Sequence, residues 1–481
     1  MPQHDDEMRR RREKREAQRR KREAEARRLK RNLVLAAVVL VICGIAIFNL
    51  TKDFRGKAPQ QEQEIQVQET VAQTKPPKAT SPVQKDPITT IHIKAAGDLN
   101  VTDSVVSSGI VASGYDYSRA FRDVSAILSD ADLTVLNFEG NVCGEPYGSA
   151  TTSAPVEILQ GLRNAGVDML QMANSCVINN GMIGMTTTLQ AIRNAGIEPL
   201  GAYANAQEYR NSKGYTITEV NGVKVAFVAF TKGMNGRGMP AGNENLVNLL
   251  YTDYATEYLN IDRDGITETL KNVQTEQPDL VIALVHWGSE YNEDISKTQK
   301  SIVSLMQKNG VDVILGTHPH MVQAIEYDEL NGTLVAYSLG DFFGDAERGA
   351  TNYSVILDLE ITKDANAGTT KVTDFSYTPI YTLRSSESGG DINYSRVVRI
   401  DKALEAYEGH FLDSITSACY DSMTYALTRI EQRIATSQDV ECPECGKAVS
   451  VLVNKNNELV SGSTCKCGRN LPAGSNVRDY D

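Results

Sequence analysis

The chain has 481 residues, 41% of them hydrophobic, and a formal net charge of -12. This length exceeds one ordinary domain of roughly 100–200 residues and predicts two or three units with at least one folded core. Residues 1–50 hold 14 of the 49 Lys and Arg but 7 of the 61 Asp and Glu, which leaves the remainder strongly acidic. Because nucleic-acid binding needs a basic face, we expect no nucleic-acid partner.

The amino-terminal residues predict a membrane anchor. Residues 1–32 form a basic segment, and residues 33–50 (LVLAAVVLVICGIAIFNL) follow without a charge. A helix of this length reaches about 27 Å, close to the roughly 30 Å of a bilayer's hydrocarbon core. No small-residue cleavage pattern follows the apolar run, so we expect an uncleaved transmembrane helix rather than a signal peptide or a buried core helix.

The charge asymmetry around this span predicts its orientation. The basic segment precedes the span, so the positive-inside rule places the N-terminus in the cytoplasm and the main domain outside the cell. Residues 51–87 are rich in Gln, Lys, Pro and Thr and lack the apolar residues of a core, which predicts a disordered linker. We therefore expect a single-pass protein of the cell membrane.

Residues 88–400 alternate short apolar runs with amphipathic helical stretches, which predicts an α/β domain with a largely buried sheet. Two Asn-Gly pairs, Asn221-Gly222 and Asn331-Gly332, lie between β-prone runs and predict hairpins. A β-rich stretch follows Tyr353, and a long helix is predicted near 400–437, so residues 401–438 form a helical segment. The predicted strands are ITTIHIKAAGD, LTVLNFE, DMLQMAN, KVAFVAF, DLVIALVHW and VDVILG.

Polar residues of metal-binding types stand where these strands end. Ligands collect beyond the carboxyl ends of strands in α/β sheets, and a mixed set of imidazoles and carboxylates is typical of a hydrolytic site with one or two divalent ions such as Mn, Fe or Zn. Taken singly, each has a structural explanation as a turn former, surface acid or core histidine. The His-Pro-His pair makes the ligand interpretation stronger. These residues are Asp98, Asn137, Glu139, Asn174, His286, His318 and His320.

The ordered motifs GDLN, LNFEG, ANSCVINNG, VHWGSEY, GTHPHMVQ and YSLGDF resemble the CapA family, a branch of the calcineurin-like metallophosphatases, over about residues 90–345. The resemblance implies a four-layer αββα sandwich and a part in making, exporting or anchoring extracellular poly-γ-glutamate or a related capsule polymer. It implies an anionic polymer and capsule synthesis proteins as partners. By position, it makes Asp98 and Glu139 acidic ligands, His286, His318 and His320 imidazole ligands, and Asn137 and Asn174 members of the same set.

The ANSC segment departs from the family's usual Ala-Asn-Asn-His. By alignment, Ser175 replaces an asparagine ligand, Cys176 replaces a histidine that assists the reaction, and Asn179 replaces an acid. Asp98, His286, His318 and Cys176 are the predicted catalytic positions. A thiol cannot act as a cationic imidazole, so Cys176 is either a thiolate ligand or a buried structural cysteine. YSLGDF also departs from the family pattern by adding Asp341 near the site.

Near the C-terminus, residues 439–472 carry Cys442 and Cys445 in one knuckle and Cys465 and Cys467 in a second. Paired cysteines next to glycines resemble a zinc ribbon, in which four thiolates hold a structural ion. The second pair is Cys-x-Cys rather than the commoner Cys-x-x-Cys. Outside the cell, the same cysteines could instead form disulfides.

Three functions remain open from the sequence. The first is a CapA-like envelope protein in which metal-activated water attacks a phosphoester or amide bond. The second is a non-catalytic relative that binds polymer or protein through the altered pocket. The third is a general metallophosphoesterase for small substrates, which the acidic surface disfavours.

Overall fold

The computed structural model describes residues 87–345, 348–389, 392–411, 414–454, 456–460 and 462–480. Within these ranges, no helix is both long enough and apolar enough to cross a bilayer. The predicted basic segment, the span at 33–50 and nearly all of the linker lie outside the described residues. The membrane anchor therefore stays a prediction.

In the described part of the chain, twenty strands form two large sheets and three small hairpins. In chain order they are β1 (Ile88–Asn100), β2 (Ile110–Val111), β3 (Gly114–Tyr115), β4 (Leu133–Glu139), β5 (Met169–Gln171), β6 (Glu198–Leu200), β7 (Tyr215–Val220), β8 (Val223–Thr231), β9 (Leu280–His286), β10 (Val313–Thr317), β11 (Ile325–Asp328), β12 (Thr333–Ala336), β13 (Asp341–Phe343), β14 (Tyr353–Asp364), β15 (Thr369–Leu383), β16 (Arg396–Arg399), β17 (Thr436–Glu441), β18 (Ala448–Val453), β19 (Ser463–Thr464) and β20 (Asn470–Leu471).

The helices fall mainly between the strands of the two sheets. They are α1 (Asp103–Ser108), α2 (Ser118–Leu128), α3 (Glu157–Ala165), α4 (Gly181–Asn194), α5 (Ala206–Ser212), α6 (Arg263–Thr275), α7 (Lys297–Lys308), α8 (Ile400–Glu408) and α9 (Ser417–Ile434).

The first sheet has the order β16-β15-β14-β1-β4-β5-β6, with β13 also paired to β1, and the second has the order β11-β12-β10-β9-β8-β7. Strands β1, β4, β5 and β6 are mutually parallel, as are β8, β9, β10 and β12. Parallel strands bring their carboxyl ends to one edge of a sheet. Each sheet therefore collects the residues that end its central strands.

Alternation along β9 shows how the layers pack. Leu280 and Ile282 belong to the large core that includes buried residues of both sheets, whereas Val281 and Ala283 pack with apolar residues of α6 and α7. Side chains of a strand point alternately to its two faces, so one face of β9 meets the other sheet and one meets helices. The predicted four-layer αββα arrangement is confirmed.

An Asp side chain recurs at the amino ends of several parallel strands. An Asp just before or at the start of a strand accepts a hydrogen bond from the backbone N–H of the neighbouring strand, which satisfies a donor that the ladder leaves unpaired. The pairs and their N···O distances are Asp132 with His92 (2.8 Å), Asp168 with Thr134 (3.0 Å), Asp279 with Lys224 (2.7 Å) and Asp312 with Val281 (2.8 Å).

Both predicted hairpins are present. Asn221 and Gly222 join β7 to β8 with φ angles of 50° and 85°, the left-handed backbone that a tight two-residue hairpin turn requires. The long helix predicted near 400–437 is wrong in one respect, because the structure divides it into α8 and α9. Gly409 follows the end of α8, and the Thr416 hydroxyl accepts from Cys419 N at 3.3 Å to begin α9 anew.

Candidate metal centre

The register of the strands places the site residues side by side. In the first sheet, Asp98 of β1 lies opposite Asn137 of β4 and Asp341 of β13. In the second sheet, His286 of β9 lies opposite Thr317 of β10. The structure thus brings the two predicted sets of strand ends together between the sheets.

A glycine next to Asp98 allows a close backbone approach. A Cβ on Gly97 would lie 1.7 Å from the carbonyl oxygen of Gly340, so a side chain there would force the two segments apart. Asp98 N donates to this same carbonyl at 2.9 Å. The contact holds Asp98 next to Asp341, which follows Gly340 directly.

Two groups of possible ligand atoms share His320. One group is Asp98, His320 and Asp341, the other is Glu139, His318 and His320, and within each group the atoms lie within 4.8 Å of one another. His320 Nδ1 lies 2.8 Å from an Asp341 oxygen and 3.6 Å from an Asp98 oxygen. A neutral imidazole has one acceptor nitrogen, so His320 can ligate an ion in only one of these groups at a time.

The electrostatics of these acids fit a divalent cation. Burial raises the pKa of Asp98, and burial also raises the pKa of Asp341 to about 7. Burial acts in the same sense on Glu139, but His286 and His320 together lower its pKa overall. The Glu139 Oε2 atom is buried without a hydrogen-bond partner in the part of the chain that the structure describes. A cation would satisfy that oxygen and would favour the charged forms of the acids.

His286 is fully buried and held in one orientation. Its Nδ1 lies 3.0 Å from the Thr317 hydroxyl, which in turn donates to Gln171 Oε1 at 3.4 Å. Because the hydroxyl of Thr317 donates to Gln171, it can accept from Nδ1–H of His286. Nε2 points to Glu139, whose oxygen lies 3.4 Å away.

The turn that carries His318 and His320 has an unusual backbone. Their φ angles are 91° and 60°, in the left-handed region that non-glycine residues seldom adopt and that often marks functional sites. His318 N donates to Asp98 at 3.0 Å, which fixes the turn against the other sheet. Burial lowers the pKa of His318. Burial also acts to lower the pKa of His320, but the carboxylates of Asp341, Glu139 and Asp98 together raise it above its usual value.

Asn137 and Asn174 lie behind Asp98 and use their amides within the protein. Asn137 Nδ2 donates to Asp98, and Asn137 Oδ1 accepts from Asn174 Nδ2 at 3.0 Å. Asn174 Oδ1 accepts from Cys176 N at 3.0 Å. Metal ligation by these two asparagines stays a prediction, and the geometry gives both a part in positioning Asp98 and the ANSC segment.

The ANSC segment enters the centre through Ser175. Its hydroxyl lies 2.9 Å from His286 Nε2 and 3.4 Å from His318 Nδ1. Cys176 is buried, burial raises the pKa of its thiol, and its sulfur belongs to neither described ligand group. This environment favours a neutral structural cysteine. Asn179 points to Thr152, with an Nδ2–Oγ1 distance of 3.2 Å.

Two cavities flank the ligands. The His320 cavity (250 Å³) is lined by Glu139, Tyr291, His320 and Arg348, among others, and the His318 cavity (280 Å³) by Ser175, Lys232, Tyr258 and His318. Asn235 and Glu290 line both, so the two cavities adjoin. Sequence reasoning missed Lys232, Tyr291 and Arg348. Lys232 carried a signal, because it directly follows β8 in the same way that the predicted ligands follow their strands, and Tyr291 ends the motif VHWGSEY. Arg348 carried none.

The C-terminal cysteines form a separate cluster on the hairpins β17–β18 and β19–β20. The sulfurs of Cys442 and Cys467 are 3.6 Å apart, as are those of Cys445 and Cys465, and all four lie within 4.8 Å of one another. Tetrahedral ligation with Zn–S bonds of about 2.3 Å needs sulfurs roughly 3.8 Å apart. A disulfide needs about 2.05 Å. The arrangement fits a shared ion, and the described cysteines are free.

Facing sheets with buried carboxylates and imidazoles at their strand ends define an α/β protein with a candidate metal centre. The chain belongs to the bacterial capsule synthesis protein family PGA_cap, whose model matches residues 92–346. It is 26% identical over 300 residues to the capsule biosynthesis protein CapA of Bacillus anthracis, covering 60% of this chain and 68% of that protein. It is 29% identical over 265 residues to the PGA biosynthesis protein CapA of Bacillus subtilis, covering 54% and 64%.

The chain thus spans about two thirds of the length of these two relatives. Among solved structures, the calcineurin-like phosphoesterase YfkN from Bacillus subtilis is similar with a TM-score of 0.38 and 16% identity, covering 71% of this chain and all of that one (100%).

Proposed function

We propose that this protein takes part in the synthesis or export of extracellular poly-γ-glutamate or a related envelope polymer, as a metal-dependent hydrolase. The observation that carries the hydrolytic part is the pair of ligand groups joined by His320, with a buried Glu139 oxygen that has no hydrogen-bond partner among the described residues. The family match and the similarity to two CapA proteins support poly-γ-glutamate or a related polymer as the material on which the protein acts. The reaction is hydrolysis of a phosphoester or amide bond.

Asp98, Glu139, Asp341, His286, His318 and His320 would hold one or two divalent ions such as Mn, Fe or Zn. Such an ion polarises a phosphoryl or carbonyl oxygen and lowers the pKa of water. The chain's own contribution is orientation: Thr317 and Gln171 fix the tautomer of His286, and Asn137 holds Asp98. Ser175 adds a hydroxyl donor within reach of the cleft.

The test uses the full chain. Bound metals are measured, and hydrolysis of p-nitrophenyl phosphate esters and of poly-γ-glutamate is assayed with and without Mn²⁺. We expect metal-dependent turnover that His318→Ala abolishes. Stoichiometric metal at the cysteines alone, with no turnover on any substrate, would reject the hydrolase.

A binding function without turnover is the second candidate. It is favoured by one observation, the neutral Cys176 and Ser175 in the segment where the family resemblance implies an imidazole and an amide. The double variant Ser175→Asn with Cys176→His separates the two candidates. Turnover that appears only in the double variant would assign polymer binding to the natural chain.

We also propose zinc at Cys442, Cys445, Cys465 and Cys467, and a single membrane span at residues 33–50 with the main domain outside the cell. Metal analysis of the full chain tests the first. Protease treatment of intact cells tests the second, since an external domain is cut and a cytoplasmic one is protected. The basic segment and apolar run support this orientation.

A further inference from the structure

Lys232 brings a cation to the wall of the metal centre. It lines the His318 cavity, and its ammonium donates to Gly288 O at 2.6 Å. The same nitrogen lies 3.5 Å from His318 Nε2 and 4.9 Å from the ring centre of Tyr258. A carbonyl, an imidazole and an aromatic ring are neutral contacts, so none of them supplies a countercharge.

A half-buried cation without a close countercharge loses hydration that its contacts only partly replace. Glu290, which is exposed and lines both cavities, acts on Lys232 electrostatically from the cavity wall. An anionic group inside the His318 cavity would meet Lys232 at much shorter range. It would also lie beside Ser175 and His318, which line the same cavity, and a bound ion there would add further positive charge.

Arg348 brings a second cation to the other cavity. Its guanidinium carbon lies 3.8 Å from the ring centre of Tyr291, and that ring stacks on His320 with centres 5.4 Å apart and planes 28° apart. Stacking fixes the plane of the guanidinium and leaves its N–H edges available for a carboxylate or phosphate. Arg348 is exposed at the rim of the His320 cavity.

We propose that the cleft binds an extended polyanion across the metal centre, with Lys232 holding the anionic group next to the ions and Arg348 holding another at the rim. This inference rests on the proposed function, which supplies the polymer, and adds the two residues of this chain that would bind its anionic groups. Because the two cavities adjoin at Asn235 and Glu290, one chain can pass through both. A single small anion fills only one.

Glu290 affects where the anionic groups of the bound polymer can lie. Glu290 lines both cavities, and its carboxylate repels an anionic group placed beside it. The ligand's charges therefore gather at the two cations, and uncharged backbone crosses between them.

The experiment measures binding by calorimetry to the full chain loaded with Mn²⁺, using poly-γ-glutamate and, separately, inorganic phosphate. We expect Lys232→Met to weaken both ligands by about tenfold or more, the usual cost of one charge-assisted hydrogen bond. We expect Arg348→Met to weaken the polymer to a similar degree and to leave phosphate unchanged. The difference between the two probes distinguishes a polymer site from a simple phosphate site.

Lys224→Met is the matched control. Lys224 lies at the opposite end of the same strand, is also half-buried, and donates to a backbone carbonyl, that of Glu276. It should bind both probes like the wild type. Lys232→Arg should retain most of the affinity, and Lys232→Gln, which keeps a donor for Gly288, replaces Lys232→Met if thermal melting shows that the latter does not fold.

Each result decides a different point. Polymer affinity that is equal in the wild type, Lys232→Met and Arg348→Met overturns this inference and leaves the hydrolase intact. Phosphate binding without polymer binding overturns both this inference and the polymer substrate. Normal polymer binding without metal-dependent turnover rejects the hydrolase while the two-cation cleft stands.

Discussion

The two metal-binding regions of this chain are built in opposite ways. The centre between the sheets joins residues from Asp98 to Asp341, and its candidate ligands are buried. The cysteine cluster uses residues 442–467 on two small hairpins, with Cys445 and Cys467 exposed and a small hydrophobic cluster of nine buried residues around it. The main centre lies within a large hydrophobic core that holds its residues in place. The cysteine module has only a small core, so a bound ion must stabilise it. Metal removal should therefore unfold only the second region.

The largest expected effect is on the cysteine module. Cys442→Ser should abolish binding of one zinc per chain and unfold residues 439–472, because structural zinc supplies roughly 10–16 kcal/mol of apparent binding free energy to folds of this size. Zinc content and limited proteolysis of the C-terminus measure both. Cys143→Ser, a free cysteine outside the cluster, is the control. Protease resistance of residues 439–472 without zinc would show that this module, like the main domain, folds without its ion.

The next effect is at the shared ligand of the main centre. His320→Ala should weaken Mn²⁺ binding by more than about 100-fold, beyond the 10–100-fold cost of losing a residue that only orients a ligand. The fold should persist because the two-sheet core does not depend on an ion. Calorimetric titration with Mn²⁺ and a thermal melt are the measurements, with His92→Ala at the far end of β1 as control. Unchanged Mn²⁺ affinity would show that His320 is not a ligand.

A smaller effect tests the orientation of His286. Thr317→Val keeps the shape but removes the hydroxyl that accepts from Nδ1, so Mn²⁺ affinity should fall about 10–100-fold. Thr231→Val is a close control, because Thr231 lies opposite His286 on the other neighbouring strand and its hydroxyl bonds to Gly233. Equal Mn²⁺ affinities of Thr317→Val and Thr231→Val would show that the Thr317 hydroxyl does not position His286.

The smallest effect concerns the amino ends of the strands, away from either metal. Burial raises the pKa of Asp312 to about 6, from an ordinary value of 3.8. The folded state therefore binds this proton more tightly than the unfolded state, and stability falls as the pH rises from about 4 to about 6. Asp312→Asn keeps an acceptor for Val281 N and removes the buried charge.

We expect Asp312→Asn to melt a few degrees higher than the wild type above pH 6 and to match it near pH 4. Thermal melts across this pH range measure the difference. A melting temperature that differs by the same amount at every pH would show that ionisation of Asp312 is not the cause.

The local patterns of the sequence determined most of the secondary structure and the cysteine cluster. Apolar runs predicted β4, β8 and β9 within a residue or two at each end, and the cysteine spacing predicted the four sulfurs that gather near the C-terminus. These features depend on contacts between residues close in sequence. The prediction of one helix near 400–437 was wrong, because Gly409 ends α8 and Thr416 caps the start of α9.

The motifs predicted which polar residues lie at strand ends, but only the tertiary structure decided what each one contacts. Strand register set Asp98 opposite Asp341, and packing of one sheet on the other brought His318 to Asp98. Lys232 and Arg348 belong to no ligand motif, and their proximity to the centre follows from how loops of distant parts of the chain meet. Sequence spacing encodes neighbours along a strand or turn, whereas long-range register and sheet packing arise from the burial of the whole core.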